Sequence, residues 1–89
     1  MRNTFLSTLA NPVRLKMIRC LASERKSVSQ LIGNCGLSQS AVSQHLARLK
    51  NAGLVVATRR GKEIYYELKN RKVAELAAQF EAFAEQIDD

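Results

Sequence analysis

The sequence has few of the residues on which catalytic and metal sites are usually built. It contains one histidine and two cysteines, and the cysteines do not form a C-x-x-C motif. Two cysteines are too few for a disulfide scaffold, and one histidine leaves a zinc site short of ligands. The chain also has no glycine-rich phosphate loop and no paired nucleophile and base at a recognisable spacing. We therefore expect no enzyme, no cofactor and no metal site.

Long apolar runs are also missing. No stretch of about 18 apolar residues is present to span a bilayer, and no apolar segment with a cleavage site follows Arg2. We therefore expect neither a membrane anchor nor a signal peptide, and the cysteine usage favours the reducing cytoplasm. The 89 residues predict one small domain, 1–89, with a marginal core that a partner subunit would extend.

Acidic residues are scarce until the end of the chain. Up to Lys72 there are fourteen basic and three acidic residues, a formal charge of +11. From Val73 onward there are five acidic residues and no basic ones. A basic body suits a polyanionic partner such as nucleic acid, although an unevenly charged, solvated surface would have the same composition.

Capping residues mark the starts of the first helices. Asn11 followed by Pro12 predicts an N-cap and a first helical residue. A shorter helix precedes them over about residues 2–9, and Ser27 predicts the N-cap of a third helix. Apolar residues recur at helical spacing in these segments.

A helix-turn-helix follows. Gly36 suits the left-handed conformation in which helices often end, and Ser38 predicts the N-cap of a fourth helix that runs to Asn51. Two helices joined by a turn of three or four residues that contains glycine form a helix-turn-helix.

The pattern then changes from helical to alternating. Leu54–Arg59 and Glu63–Leu68 predict two strands joined by a turn at 60–62, so residues 54–68 form a β-hairpin. A last helix spans about 70–87, with apolar residues at helical spacing. The predicted fold is mainly α with a β-hairpin after the helix-turn-helix.

The fourth helix has an exposed face that suits DNA. Val42, Leu46 and Leu49 form its core seam, and the opposite side is short and polar. A helix in a major groove needs small side chains with donors and acceptors for base edges, although a polar face without a ligand would have the same pattern. We assign base contacts to Gln39, Ser40, Ser43 and Gln44. We assign phosphate contacts to Ser38, His45 and Arg48, with a half-buried structural role as the alternative for His45.

The hairpin turn adds a second basic element. Arg59, Arg60 and Lys62 surround Gly61, where they would contact the DNA backbone or enter a minor groove. The alternative is a solvated turn whose charges protect the strand edges.

Five segments together closely resemble the ArsR/SmtB family of bacterial repressors. They are LANPVRL at 9–15, LSQSAVSQHL at 37–46, LKNAGLV at 49–55, RGK at 60–62 and YYEL at 65–68. The resemblance implies a homodimeric winged helix-turn-helix that binds a palindromic operator. It also implies release from DNA by a metal, a redox change or another effector.

The metal sites of the family are not matched. Where metal sensors have a C-x-C-x-x-C motif, this chain has Ser27, Ser29 and Ile32. Asn70 and Lys72 occupy the paired Asp-x-His positions of the other metal site. None of these is a soft-metal ligand, so we expect both sites to be absent and the effector remains unknown.

The thiol pair of redox-sensing relatives is not matched either. Cys20 lies about one residue from the first expected position, and no cysteine follows Cys35. We interpret both as small, buried hydrophobic residues. The alternative is a redox role, which would need an exposed thiol with a lowered pKa.

The apolar faces of the first and last helices favour dimerisation over covering the chain's own core. The predicted interface residues are Phe5, Leu6, Leu9, Val73, Leu76, Phe80, Phe83 and Ile87. In a twofold dimer, the two copies of the fourth helix, which is the predicted recognition helix, would lie about 34 Å apart, which is one turn of DNA.

The sequence therefore predicts a sequence-specific transcriptional repressor that binds double-stranded DNA as a homodimer. The alternatives are a non-catalytic protein-interaction module, a thiol redox sensor on the same fold, and an architectural protein indifferent to sequence.

Overall fold

The computed structural model describes residues 4–88, apart from the side chains at positions 4, 34, 35 and 88. The part of the predicted first helix that precedes residue 4 lies outside this range. The helices are α1 Thr4–Leu9, α2 Pro12–Cys20, α3 Val28–Cys35, α4 Gln39–Asn51 and α5 Lys72–Asp88. The strands are β1 Lys26–Ser27, β2 Val55–Arg60 and β3 Glu63–Leu68.

Helices α2 and α3 begin at the side chains that the sequence predicts. The Asn11 side chain accepts hydrogen bonds from the amides of Val13 and Arg14 at the start of α2. Ser27 forms a capping box with Gln30 at the start of α3. Each cap satisfies amides that have no partner in the first turn of a helix, so these predictions are confirmed.

The turn of the helix-turn-helix depends on Gly36. This residue has a φ of 66°, and its amide donates to the carbonyl of Ile32 as α3 ends. A side chain would strain the backbone in this left-handed conformation. Ser38 then accepts from the amide of Ala41 and starts α4, as predicted.

The core is formed by apolar residues from all five helices and the base of the hairpin. Its buried members are Leu9, Met17, Ile18, Leu21, Leu31, Val42, Leu46, Leu49, Leu54, Val55, Leu68, Val73 and Ala77. The α4 seam lies within this cluster, so the opposite face of α4 is directed to solvent.

The hairpin belongs to a three-stranded antiparallel sheet in the order β1-β3-β2. Strands β2 and β3 pair over their full lengths, and β2 begins one residue later than predicted. Strand β1 pairs with β3 through Lys26 and Ser27, opposite Tyr66 and Tyr65. Strand β1 was not predicted from the sequence, because two residues are too few for an alternating pattern.

Helix α5 packs mainly against α2. It begins at Lys72 rather than near Asn70, whose side chain accepts from the Lys72 amide at 2.9 Å. An exposed ion pair between Arg19 and Glu81, at 3.2 Å, also links the two helices. Within residues 4–88, no helix is long and apolar enough to cross a membrane.

Candidate nucleic-acid interface

Helix α4 is divided lengthwise into a buried seam and an exposed polar face. Val42, Leu46 and Leu49 are at most 2% exposed. All four residues assigned to base contacts are exposed: Gln39, Ser40, Ser43 and Gln44. Arg48 on the same helix is exposed as well, so this face is free to approach a ligand.

The exposed face of α4 carries no negative charge. Its residues from 39 to 51 include no aspartate or glutamate, and its last turn contains Arg48 and Lys50. Basic residues in the last turn interact favourably with the helix dipole. They also give the helix the sign of charge that approach to phosphates requires.

The hydroxyls of Ser38 and Ser40 lie 3.4 Å apart at the start of α4. The Ser38 oxygen also accepts from the Ala41 amide, and either hydroxyl can be the donor in the Ser38–Ser40 pair. Ser38 is therefore the structural cap of α4, and its phosphate contact stays a prediction.

Arg14 is a contributor that the sequence analysis missed. This arginine of α2 is 9% exposed. Its Nε donates to the carbonyl of Thr8 at 2.6 Å, and its Nη2 donates to the carbonyl of Ser7 at 3.0 Å. Both carbonyls belong to the last turn of α1, which lacks intrahelical partners for them. Arg14 thereby fixes the end of α1 against the start of α2.

The third contact of Arg14 is with α4. Its Nη1 lies 3.5 Å from Nδ1 of His45, which is half-buried. Burial lowers the pKa of His45 below its usual 6.5, and the charges of Arg14 and Arg48 lower it further. In the free protein His45 is therefore mostly neutral at pH 7, and a neutral imidazole can still donate one N–H group to a phosphate.

The basic residues of the hairpin turn lie on different faces of the sheet. Arg59 is opposite Ile64 and Arg60 is opposite Glu63. Because neighbouring residues of a strand alternate between faces, Arg59 and Arg60 point in opposite directions. The Nε of Arg59 also donates to the carbonyl of Gly61 at 3.3 Å. The turn is thus basic on both faces, with Lys62 exposed at its end.

A further basic residue lies on the Arg60 face. The guanidinium of Arg25 is 5.7 Å from the ring centre of Tyr65, within the range of a cation–π contact. The hydroxyl of Tyr65 donates to Glu63 at 3.0 Å, and this hydrogen bond raises the pKa of Tyr65. The position of Arg25 was not predicted, because this residue is distant from the hairpin in the sequence.

The predicted dimer face needs one correction. Leu9 and Val73 are only 1% and 6% exposed, because both pack into the protomer's own core. They leave almost no surface for a partner. The other predicted residues are exposed apolar side chains, between 39% and 63% accessible: Phe5, Leu6, Leu76, Phe80, Phe83 and Ile87.

An apolar groove of about 790 Å³ runs between α1, the start of α2 and α5. Leu6 and Leu15 line one side, and Phe80, Phe83 and Ile87 line the other. Exposed apolar surface of this kind on a small domain is typical of an interface between proteins.

The environment of Cys20 differs from the prediction. Cys20 packs half-buried against the core, but it is disulfide-bonded rather than a free thiol. The side chain of Cys35, the last residue of α3, lies outside the described part of the chain. In that described part, no three histidine, cysteine, aspartate or glutamate residues come together as metal ligands would.

Comparison with known proteins identifies the family to which this chain belongs. Residues 11–56, from the cap of α2 into β2, match the model of the bacterial regulatory proteins of the arsR family. The chain belongs to the arsR family. Regulators of this family bind double-stranded DNA and act as dimers.

Individual relatives agree with this assignment. The chain is 42% identical to the nodulation protein NolR of Rhizobium meliloti over 72 residues, which cover 81% of the chain and 59% of NolR. The transcriptional regulator HlyU of Vibrio vulnificus has a TM-score of 0.77 at 35% identity, over 90% of the chain and 83% of HlyU. The transcriptional repressor BigR of Xylella fastidiosa has a TM-score of 0.80 at 34% identity, over 90% and 82%.

These similarities confirm the predicted fold, a mainly helical winged helix-turn-helix whose wing is the β2–β3 hairpin. The chain spans about three fifths of the length of the curated relatives that it matches, such as NolR.

Proposed function

We propose that this arsR-family chain binds a specific double-stranded DNA site as a homodimer in the cytoplasm and represses transcription. The exposed, polar and acid-free face of α4 carries this proposal. Gln44 can form a bidentate pair with adenine, and serine hydroxyls can pair with several base edges. We assign base reading to Gln39, Ser40, Ser43 and Gln44.

The cations around this face would supply the affinity that does not depend on sequence. Phosphate contacts fix the register of a protein on DNA, whereas base contacts specify the site. The residues that we assign to the backbone are Ser38, His45, Arg48, Arg59, Arg60 and Lys62. Arg59 and Arg60 lie on opposite faces of the wing, so we expect only one of them to contact the groove beside α4.

A dimer is supported by the groove between α1 and α5. A second copy would cover the exposed side chains of Phe80, Phe83 and Ile87, which otherwise remain in water. A twofold axis would then present two α4 helices to successive major grooves, and the site would be a near-palindrome. Repression follows when such a site overlaps a promoter, and BigR among the similar structures is a transcriptional repressor.

The experiment that tests this function is selection of bound duplexes from a random pool. A near-palindromic consensus with half-sites about one helical turn apart is the expected result. Binding to the consensus should exceed binding to a shuffled duplex by at least about a thousandfold and weaken steeply with salt. Equal binding to both duplexes would favour an architectural protein, and no binding would favour a protein-interaction module.

Repression and release need separate measurements. A promoter that carries the selected site should be less active when the protein is present, and this effect should disappear when the site is shuffled. The selection is repeated with an oxidant and with divalent metals, because the effector of this chain is unknown. An increase in promoter activity would contradict the assignment as a repressor.

A further inference from the structure

The guanidinium of Arg14 connects three helices without the help of a carboxylate. It donates to two carbonyl oxygens at the end of α1 and approaches His45 of α4 at 3.5 Å. Within residues 4–88, the ion pair found is between Arg19 and Glu81 and does not include Arg14. The charge of Arg14 is therefore not neutralised by an acid, and the nearby cation is Arg48.

The chemistry of the Arg14–His45 contact fixes the state of the imidazole ring. A guanidinium has five N–H donors and no acceptor. At 3.5 Å, the contact is a hydrogen bond only when Nδ1 of His45 accepts, which favours the tautomer with no proton on Nδ1. A neutral ring with an unprotonated Nδ1 has its proton on Nε2.

The Nε2–H group then remains to donate. In the described part of the chain, Nε2 has no hydrogen-bond partner, and no side-chain nitrogen or oxygen is both buried and unpartnered. Nε2 is therefore open to solvent. His45 and Arg48 are three residues apart on α4, so their side chains are neighbours on the helix surface.

We propose that Arg14 is a positioning residue for DNA binding, which holds His45 as a neutral ring so that Nε2–H donates to a phosphate oxygen. This role rests on the proposed function. It extends that function, because it assigns to a buried residue of α2 the orientation of a donor on α4. Arg48 and the nearby charge of Arg14 would draw the phosphate to this donor.

The first test requires no DNA. Because the chain has a single histidine, a ¹⁵N-labelled sample gives one pair of imidazole nitrogen signals by NMR. At pH 7 we expect a neutral ring with the proton on Nε2. In Arg14→Met, we expect a mixture of the two neutral tautomers and a higher pKa for His45. Lys16→Met removes an exposed cation of the same helix and should leave the signals unchanged.

The second test measures binding to the selected duplex. His45→Asn removes Nε2–H and should weaken binding about tenfold or more, because the acceptor is charged. His45→Gln places an amide N–H near the position of Nε2 and should recover most of that loss. Arg14→Met should weaken binding in the wild-type background and have little further effect in His45→Asn. Thermal unfolding and dimer mass are checked for each variant.

Each contrary result has a defined meaning. A ring with its proton on Nδ1, or one that Arg14→Met leaves unchanged, overturns the positioning role whatever the DNA result. Additive losses in the double variant would also overturn it, since they mean that Arg14 acts only on the fold. If the wild type binds its duplex and His45→Asn binds equally well, this role fails and the proposed function stands. A wild type that binds no duplex overturns both.

Discussion

The Nζ of Lys26 donates a 2.6 Å hydrogen bond to the carbonyl of Cys20, the last residue of α2. Lys26 is 8% exposed and pairs with Tyr66 in the sheet. The buried ammonium group of Lys26 therefore satisfies a carbonyl at the C-terminal end of α2. The backbone of the same residue pairs with β3 and so connects the hairpin to the helices. Such a charge at a helix C-terminus is favoured by the helix dipole as well as by the hydrogen bond.

We expect Lys26→Met to lower the free energy of unfolding by about 1–3 kcal/mol, because the Cys20 carbonyl loses a charged donor. Denaturation in urea at one fixed protein concentration measures this change. Lys69→Met removes an exposed lysine and should change stability by less than about 0.5 kcal/mol. Equal effects of the two substitutions would show that the hydrogen bond contributes little.

Gln44→Ala should weaken binding to the selected duplex by about 1–3 kcal/mol, because one base pair loses its bidentate partner. Binding to a shuffled duplex should change little. Fluorescence anisotropy at a single salt concentration compares the two duplexes. Gln79→Ala on α5 is the matched control, since Gln79 is also an exposed glutamine on a helix. Equal losses on both duplexes would contradict a role for Gln44 in base reading.

Arg60→Ala should weaken binding to both duplexes and reduce the slope of log K against log salt by about one unit, because one phosphate contact is lost. A salt series from low to physiological ionic strength measures the slope. Arg71→Ala removes an exposed arginine outside the wing and serves as the control. An unchanged slope in Arg60→Ala would remove this face of the wing from the interface.

Phe83→Lys should weaken dimerisation by about 2 kcal/mol, roughly thirtyfold, because it replaces a large apolar contact with a charge. Phe83 is 63% exposed in the protomer, so the substitution should leave the fold intact. Sedimentation over a dilution series measures the change. Ile64→Lys makes the same change at a 44% exposed residue of the wing. If both variants dimerise as the wild type does, the interface lies elsewhere.

The pKa of His45 predicts how stability depends on pH. Burial, together with Arg14 and Arg48, lowers the pKa below 6.5 in the folded state. The unfolded chain then binds the proton more readily than the folded chain does. The contribution of the neutral ring is therefore complete above pH 6.5 and is lost as the pH falls through the folded pKa.

We expect the difference in unfolding free energy between the wild type and His45→Asn to be constant above pH 6.5. Below that value, the wild type should lose stability relative to the variant. Urea denaturation between pH 5 and 8 measures the difference, and comparison with one variant cancels the titration of the carboxylates. A difference that does not change with pH would show that His45 titrates normally in the folded protein.

Local signals in the sequence were sufficient for most of the fold. Asn11, Ser27 and Ser38 cap the helices as predicted, because a cap depends on residues only two or three positions apart. The exposed face of α4 also followed from periodicity alone. The pairing of β1 and the burial of Leu9 depend on contacts between distant segments, which periodicity does not report.

The buried cations were the least predictable part of the site. Arg14 and Lys26 read as two more surface charges in the sequence, because basic residues are rarely buried without a partner. Their partners are main-chain carbonyls of Thr8 and Cys20. Every residue has a carbonyl, so only the fold determines which one becomes an acceptor.

Strand β1 meets β3 only at Tyr65 and Tyr66, so the pairs formed by Arg59 and Arg60 extend past the third strand as a two-stranded ribbon. Such a ribbon is more strongly twisted than a wider sheet. The outer part of the wing therefore has fewer neighbours that hold its orientation than the base, where β1 leads directly into α3. We expect base pairs under the wing to be constrained less than those under α4, and natural target sites to vary most at their flanks.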